Sequence, residues 1–63
     1  MEEWQQWVVE EREALVVKLV ALERFLDCET FKGLPIDEQE HLEHQAHIMS
    51  AYVEVLQERI DNF

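Results

Sequence analysis

The sequence has very few of the residues that break helices or crosslink chains, with one glycine, one proline and one cysteine among 63 residues. The single cysteine, Cys28, excludes a disulfide within the chain. Gly33 and Pro35 lie close together near the middle, so neither half contains a helix breaker. No apolar run approaches the roughly 20 residues that a bilayer span requires. We therefore expect a helical protein that has no disulfide and does not enter a membrane.

Basic residues are also scarce, with 5 Lys plus Arg against 15 Asp plus Glu and a formal net charge of −10. Nucleic acid and anionic membranes would be repelled by such a surface, so neither is expected as a direct ligand. A basic protein surface is the favoured partner, although excess acid can also serve solubility alone. The start at Met1, Glu2 and Glu3 lacks the basic residues of a secretory signal, which favours a cytoplasmic protein.

The spacing of apolar residues predicts an all-α fold, an antiparallel two-helix hairpin that forms one domain over residues 1–63. The first helix is expected at about 2–28, the connector at 29–36 and the second helix at about 37–62. Asp37 is expected to cap the second helix, with Glu40 completing a capping box. Three apolar residues of the connector are expected to close the open end of the hairpin: Phe31, Leu34 and Ile36.

The second helix carries one apolar stripe with alternating spacings of four and three residues, which predicts a seam against another helix. The stripe consists of Leu42, Ala46, Met49, Val53, Leu56, Ile60 and Phe63. The opposite side carries a row of carboxylates that share a sector of about 60°. We predict that this acidic row binds a basic partner through Glu40, Glu43, Glu54, Glu58 and Asp61.

The first helix has more apolar sides than one partner helix can cover. Its main stripe is Trp4, Val8, Leu15, Leu19, Leu22 and Leu26. The remaining apolar residues predict self-association, most simply a dimer that forms a four-helix bundle, or a larger helical oligomer. The residues expected at this interface are Trp7, Val9, Val16, Val17 and Val20.

Catalysis and metal binding have little support. His41, His44 and His47 sweep about 120° of a helix, so they cannot all face one ion, and exposed histidines are the favoured interpretation. Cys28 has no activating base near it in the sequence. No glycine-rich loop is present to hold phosphate. We expect a protein that is not an enzyme and has no cofactor or metal.

The order of residues along nearly the whole chain resembles short helical-hairpin proteins of tailed bacteriophages and prophages, including some from crAss-like phages. The resemblance is carried by Trp4-Gln5, Val8-Val9, Glu11, Leu15, Leu19, Leu22, Phe25, Phe31, Leu34-Pro35, Glu38-Gln39, Leu42, Gln45, Met49, Tyr52, Val55-Leu56 and Arg59-Ile60. Val16 and Val17 depart from the charged residues found there in the relatives. The resemblance implies an accessory phage protein made in the cytoplasm of the bacterial host.

Three functions are compatible with these observations. The favoured one is a homo-oligomeric inhibitor or modulator that binds a host enzyme or defence complex through its acidic row. A structural or assembly protein of the phage would use the apolar surfaces alone. A sponge for a small nucleotide signal would need cations gathered between subunits beside aromatic side chains. The candidates for that role are Arg12, Arg24, Lys32 and Arg59 with Trp4, Trp7 and Tyr52.

Overall fold

A computed structural model describes all 63 residues as an all-helical chain without strands. Helix α1 spans Glu3–Leu26, a single helical turn α2 spans Glu29–Lys32, and α3 spans Ile36–Asp61. The two long helices pack against each other in antiparallel orientation, since α1 begins where α3 ends. The molecule measures 46 × 14 × 13 Å. This confirms the predicted hairpin and adds a short helix inside the connector.

No helix combines the length and apolar character that a membrane span requires.

The ends of α1 are defined by local hydrogen bonds. Glu2 has an extended backbone and occupies the N-cap position, where its N–H donates to Gln5 Oε1 at 2.7 Å. This is half of a reciprocal capping box. The helix ends at Leu26, because the N–H groups of Asp27 and Cys28 bond to carbonyls three residues earlier. Both ends lie within two residues of the predicted boundaries.

The predicted cap of the second helix is wrong. Pro35, with φ −54° and ψ 146°, occupies the N-cap position of α3, and its carbonyl accepts the Gln39 N–H at 3.0 Å. The helix therefore begins at Ile36, which places Asp37 inside the first turn rather than before it. No side chain caps this end. Asp37 and Glu38 still favour the helix, because negative charge is stabilised near a helix N-terminus.

The connector closes one end of the hairpin with two of the three predicted apolar residues. Phe31 is buried and meets Phe25 edge to face, with ring centroids 6.1 Å apart. Leu34 is half-buried, whereas Ile36 is 68% exposed, so its predicted role in the plug is wrong. The Gln39 side-chain amide donates to the carbonyls of Lys32 and Leu34, at 3.2 and 2.9 Å, and ties the connector to α3.

The core lies along the seam between α1 and α3 and is small. Only Val8, Leu19, Phe31 and Leu56 are buried, and Leu56 alone has no exposed surface. The predicted stripe of α3 is confirmed from Leu42 to Ile60, since each of its members there is buried or half-buried. The outer ends of both stripes are exposed: Trp4 and Phe63 pack edge to face, with centroids 5.2 Å apart, at the open end of the hairpin.

Candidate ligand-binding face

One side-chain hydrogen bond joins the two long helices, and it marks one edge of the hairpin. The Tyr52 hydroxyl of α3 donates to the Glu11 carboxylate of α1. This bond raises the pKa of Tyr52 above its ordinary value of 10.0, an effect to which loss of water and the negative charge of Glu11 add. The positive charge of Arg59 has the opposite effect and lowers the pKa of Tyr52. A tyrosine, a carboxylate and a guanidinium are therefore close enough to influence one another.

Apolar side chains surround this bond on the α3 side. Ile48 and Val55 are four residues before and three residues after Tyr52, so all three share a side of the helix. Ile48 is 52% exposed, Tyr52 42% and Val55 49%. They form a second apolar stripe that does not face α1. The sequence indicates this stripe by its spacing of four and three residues. The stripe is shorter than the seam stripe, which dominates the apolar pattern of α3.

The charges of α3 are segregated around the helix. From His41 onward, its carboxylates are confined to a sector of about 60°, occupied by Glu43, Glu54, Glu58 and Asp61. The sector that contains Tyr52 has no carboxylate over the same length. Its members are His41, His44, Gln45, Ile48, Ala51, Tyr52, Val55 and Arg59. In a chain of net charge −10, another negative molecule meets less repulsion here than at the carboxylate sector.

Helix α1 extends the same surface. Trp7, Ala14 and Lys18 lie four residues before, three after and seven after Glu11, which places them on its side of the helix. Trp7 is 59% exposed, and Lys18 is exposed without a carboxylate partner. We call the combined surface the Tyr52 face. It consists of Trp7, Glu11, Ala14 and Lys18 from α1 and Ile48, Tyr52, Val55 and Arg59 from α3.

The cations proposed for a nucleotide site do not all come together in one copy. Arg59 lies on the Tyr52 face, whereas Arg12 lies about 100° around α1 from Glu11. Arg12 is half-buried, and its buried Nε has no hydrogen-bond partner. Arg24 lies toward the back of α1 and Lys32 lies in the connector. Lys32 forms the structure's single ion pair, with Glu29 at 3.5 Å.

The residues predicted for self-association do not share one surface of the structure. Trp7, Val17 and Val20 are exposed, and Val9 and Val16 are half-buried. They spread around α1, and Trp7 alone belongs to the Tyr52 face. Two different apolar surfaces are thus available for contact with a second copy, the valines at the back of α1 and the Tyr52 face.

The predicted acidic row occupies a different edge of α3. Glu40, Glu43, Glu54, Glu58 and Asp61 are all exposed, and none forms an ion pair. Two local hydrogen bonds reach its end, from the Gln57 amide to Asp61 and from the Asn62 amide to the Glu58 carbonyl, both at 2.7 Å. Four of these carboxylates therefore have no side-chain partner, and Asp61 accepts one amide hydrogen bond along the same edge.

The structure gathers no catalytic or metal-binding group of side chains. His41, His44 and His47 are exposed, and no three histidine, cysteine, aspartate or glutamate side chains converge on one point. Cys28 is a free, half-buried thiol at the start of α2. One copy also has no pocket. A ligand would therefore bind on a surface of a single copy, or between copies.

In comparison with known proteins, residues 2–62 match a protein family described as Sequestin. The match includes both long helices, the connector and the whole Tyr52 face. No curated protein and no solved structure matches the chain.

Proposed function

This chain belongs to the Sequestin family, and we propose that it is a non-catalytic protein that binds and sequesters a small anionic ligand with an aromatic ring system, a nucleotide signal in particular. The family description suggests sequestration of a ligand, which is the function of the nucleotide sponge considered above. The observation that carries the proposal is the composition of the Tyr52 face. It combines exposed Trp7 and Tyr52 with Lys18 and Arg59, two cations without carboxylate partners.

The chemistry of this face suits a nucleotide. Stacking of a base on an aromatic side chain contributes about 1–3 kcal/mol and tolerates any base. A guanidinium such as that of Arg59 can donate two parallel hydrogen bonds to a phosphate. Ile48 and Val55 supply apolar surface for the sugar and the edges of a base. Sequestration requires no nucleophile or proton transfer, so the absence of a base beside Cys28 is compatible with it.

The net charge of −10 opposes this function at long range, so composition alone favours it least of the three. A compensating feature is that the carboxylates of α3 from Glu43 onward lie on a different edge from Tyr52. Glu11 is the one carboxylate on the face, and it accepts the Tyr52 hydrogen bond. The repulsion therefore acts mainly on the approach of the ligand, while the bound ligand meets cations and aromatic rings.

The test is equilibrium dialysis of the protein against fluorescently labelled nucleotides, namely adenosine and guanosine monophosphates, triphosphates and cyclic dinucleotides. We expect at least one to be retained and recovered chemically intact by mass spectrometry. Loss of a charge-assisted hydrogen bond of about 1.5–3 kcal/mol predicts that Arg59→Glu weakens binding at least about tenfold. Arg24→Glu makes the same change of charge at the back of α1 and serves as the control. Retention of none of these nucleotides by the wild type would reject the proposal.

A second candidate function is supported by the acidic row. Its five exposed carboxylates have no ion-pair partners in the chain, so they are available to a basic surface of a host enzyme or defence complex. Complementary charge of this kind raises association rates more than affinity. Either function would suit an accessory phage protein in the cytoplasm of an infected bacterium, the setting that the resemblance implies.

A further inference from the structure

We propose that the broad side of the hairpin opposite the Tyr52 face is a docking surface for a helix of another protein, a basic amphipathic helix with one hydrogen-bond acceptor in its apolar stripe. This inference does not rest on the proposed nucleotide binding. It gives the second candidate function, binding to a basic host surface, a site and a kind of partner.

The surface lies along the other edge of the seam between α1 and α3. Glu11 and Tyr52 lie on one side of that seam, and the residues at the opposite edge of each helix lie on the other side. We call this second side the Arg12 face. Its middle consists of Val9, Arg12, Val16 and Val20 from α1 and Ala46, Ser50 and Gln57 from α3. Four of these residues are apolar and none is acidic, so the middle of the face can bury apolar surface of a partner.

Arg12 marks the centre of this face. It lies four residues after Val8 and three before Leu15, so the stem of this half-buried side chain begins at the seam. Its Nε is the one buried side-chain nitrogen or oxygen that has no hydrogen-bond partner, and no carboxylate forms an ion pair with it. A buried donor without an acceptor costs free energy, because its hydration is lost and not replaced. An acceptor on a partner, within reach of the guanidinium, would remove part of this cost.

Carboxylates surround the middle of the Arg12 face. They lie beyond the valines on α1, beyond Ser50 on α3, and toward both ends of the hairpin. All are exposed and none forms an ion pair: Glu13 and Glu23 from α1, and Glu43, Glu54 and Asp61 from α3. An apolar centre with a polar rim is the usual arrangement of a protein interface. A partner that fits this face therefore has apolar side chains at its centre and cations along its edges.

Charge separates this partner from other occupants. A second copy of the chain would bring its own acidic rim against this one, and Arg12 is the only cation of the face. Phosphates and anionic lipids would be repelled by the same rim. A helix with an apolar stripe between two rows of lysine or arginine complements both the centre and the rim.

The dimensions of the face also suit a helix. Gln5 and Glu23, near its two ends, are 18 positions apart on α1, which corresponds to about 27 Å. A partner helix of about 20 residues covers this length, and a helix diameter of about 10–12 Å fits a molecule that is 14 Å wide.

A synthetic peptide tests the docking. The probe is a fluorescently labelled helical peptide of about 20 residues. Leucines form one stripe, lysines line both edges, and one glutamate stands at the middle of the stripe. Binding to the full chain is measured by fluorescence anisotropy at about 0.15 M salt, where long-range attraction is largely screened. We expect the striped peptide to bind at least about tenfold more tightly than a scrambled peptide of the same composition, because only the striped one can bury apolar surface. Equal binding of the two, or no binding, would overturn the proposal.

Two matched replacements on α1 locate the bound peptide. Val20→Ser removes an apolar side chain from the Arg12 face and is expected to weaken binding by about fivefold or more. Val17→Ser makes the same change on the side of α1 that faces away from α3, and it is expected to weaken binding less than about twofold. Circular dichroism checks that both variants are folded. Equal losses, or a larger loss from Val17→Ser, would overturn the assigned surface.

Arg12 is tested by a double-mutant cycle between protein and peptide. Arg12→Leu keeps an apolar side chain at the seam, and a second peptide has leucine in place of the central glutamate. We expect the ratio of affinities for the glutamate and leucine peptides to fall at least about tenfold in Arg12→Leu, because a charge-assisted hydrogen bond is lost. A purely structural role of Arg12 would change both affinities alike. An unchanged ratio would therefore overturn the role of the acceptor.

Light scattering behind a sizing column tests whether a second copy occupies the face instead. We expect Val20→Glu and Val17→Glu to leave the mass of the wild type unchanged. Dissociation of a wild-type assembly by Val20→Glu but not by Val17→Glu would assign the Arg12 face to a second copy and overturn the proposal. Failure of the wild type to bind nucleotides would reject the proposed function and leave the peptide measurements as they are.

Discussion

The Tyr52 hydroxyl and the Glu11 carboxylate are hydrogen-bonded across 41 positions of sequence, and this bond alone links the long helices through polar side chains. Because Tyr52 is the only tyrosine in the chain, its ionisation can be observed without interference. The bond holds the pKa of Tyr52 above 10.0, since the neutral phenol donates the hydrogen and a phenolate would be repelled by Glu11.

We predict that the phenolate absorbance of the folded protein titrates with a midpoint above 10.0, and that Glu11→Ala lowers this midpoint. Glu10→Ala removes a neighbouring carboxylate that does not contact Tyr52, and we expect it to leave the midpoint nearly unchanged. A folded-state pKa above the unfolded one contributes stability below pH 10.0, and this contribution is lost as pH rises through the folded-state pKa. Equal shifts from the two variants would show that general charge, rather than the bond, controls the phenol.

We predict that Leu56→Ala lowers the free energy of unfolding by about 2–5 kcal/mol, because Leu56 is the one side chain with no exposed surface. Glu54→Ala lies two residues away on the exposed side of the same helix, and it is expected to change stability by less than about 0.5 kcal/mol. Urea unfolding followed by circular dichroism measures both. Similar losses would mean that the seam does not dominate the stability of the hairpin.

We predict that Gly33→Ala stabilises the protein by about 0.4–1 kcal/mol, by reducing the freedom of the unfolded chain. Gly33 has φ −86°, which any residue can adopt, and an added Cβ would lie at an ordinary 3.6 Å from the Thr30 carbonyl oxygen. Thermal unfolding of the variant is therefore expected several degrees higher than that of the wild type. A lower unfolding temperature would show that the connector needs the glycine for a reason beyond its backbone angles.

The acidic row is tested by replacing Glu43, Glu54 and Glu58 with lysine. If the row meets a basic host protein, we expect the variant to keep its helicity and to capture that protein from a bacterial lysate more slowly. The rate difference is expected to shrink as salt rises from about 0.1 to about 1 M, where the Debye length falls from about 10 to about 3 Å. An unchanged capture rate at low salt would contradict binding of a host protein by this row.

The seam of α3 could be predicted from the sequence because a period of about 3.6 residues fixes which side chains share a side of a helix. The start of α3 could not, because Pro35 and Asp37 are both compatible with a cap position and the choice depends on how the connector folds. The prediction for Ile36 was wrong for the same reason. The helix begins at Ile36 instead of after it, and in this position the side chain is exposed to solvent.

The Tyr52 face could not be predicted from the sequence, for a different reason. Helical periodicity describes each helix by itself, but it does not say which edge of α1 lies beside which edge of α3. That relation depends on the direction in which the connector turns, and it determines that Glu11 meets Tyr52. Trp7, Tyr52 and Arg59 were recognised individually, whereas their common surface with Ile48 and Val55 required the packed hairpin.

The single ion pair, between Lys32 and Glu29 in the connector, has a consequence for salt tolerance. Many acidic proteins lose stabilising surface pairs as salt increases, but here one exposed pair is all that can be lost, and such pairs contribute about 0–1 kcal/mol. The remaining carboxylates mostly repel one another, and dissolved ions weaken that repulsion. A cell whose ionic strength climbs, as under osmotic stress, would therefore contain a more stable hairpin.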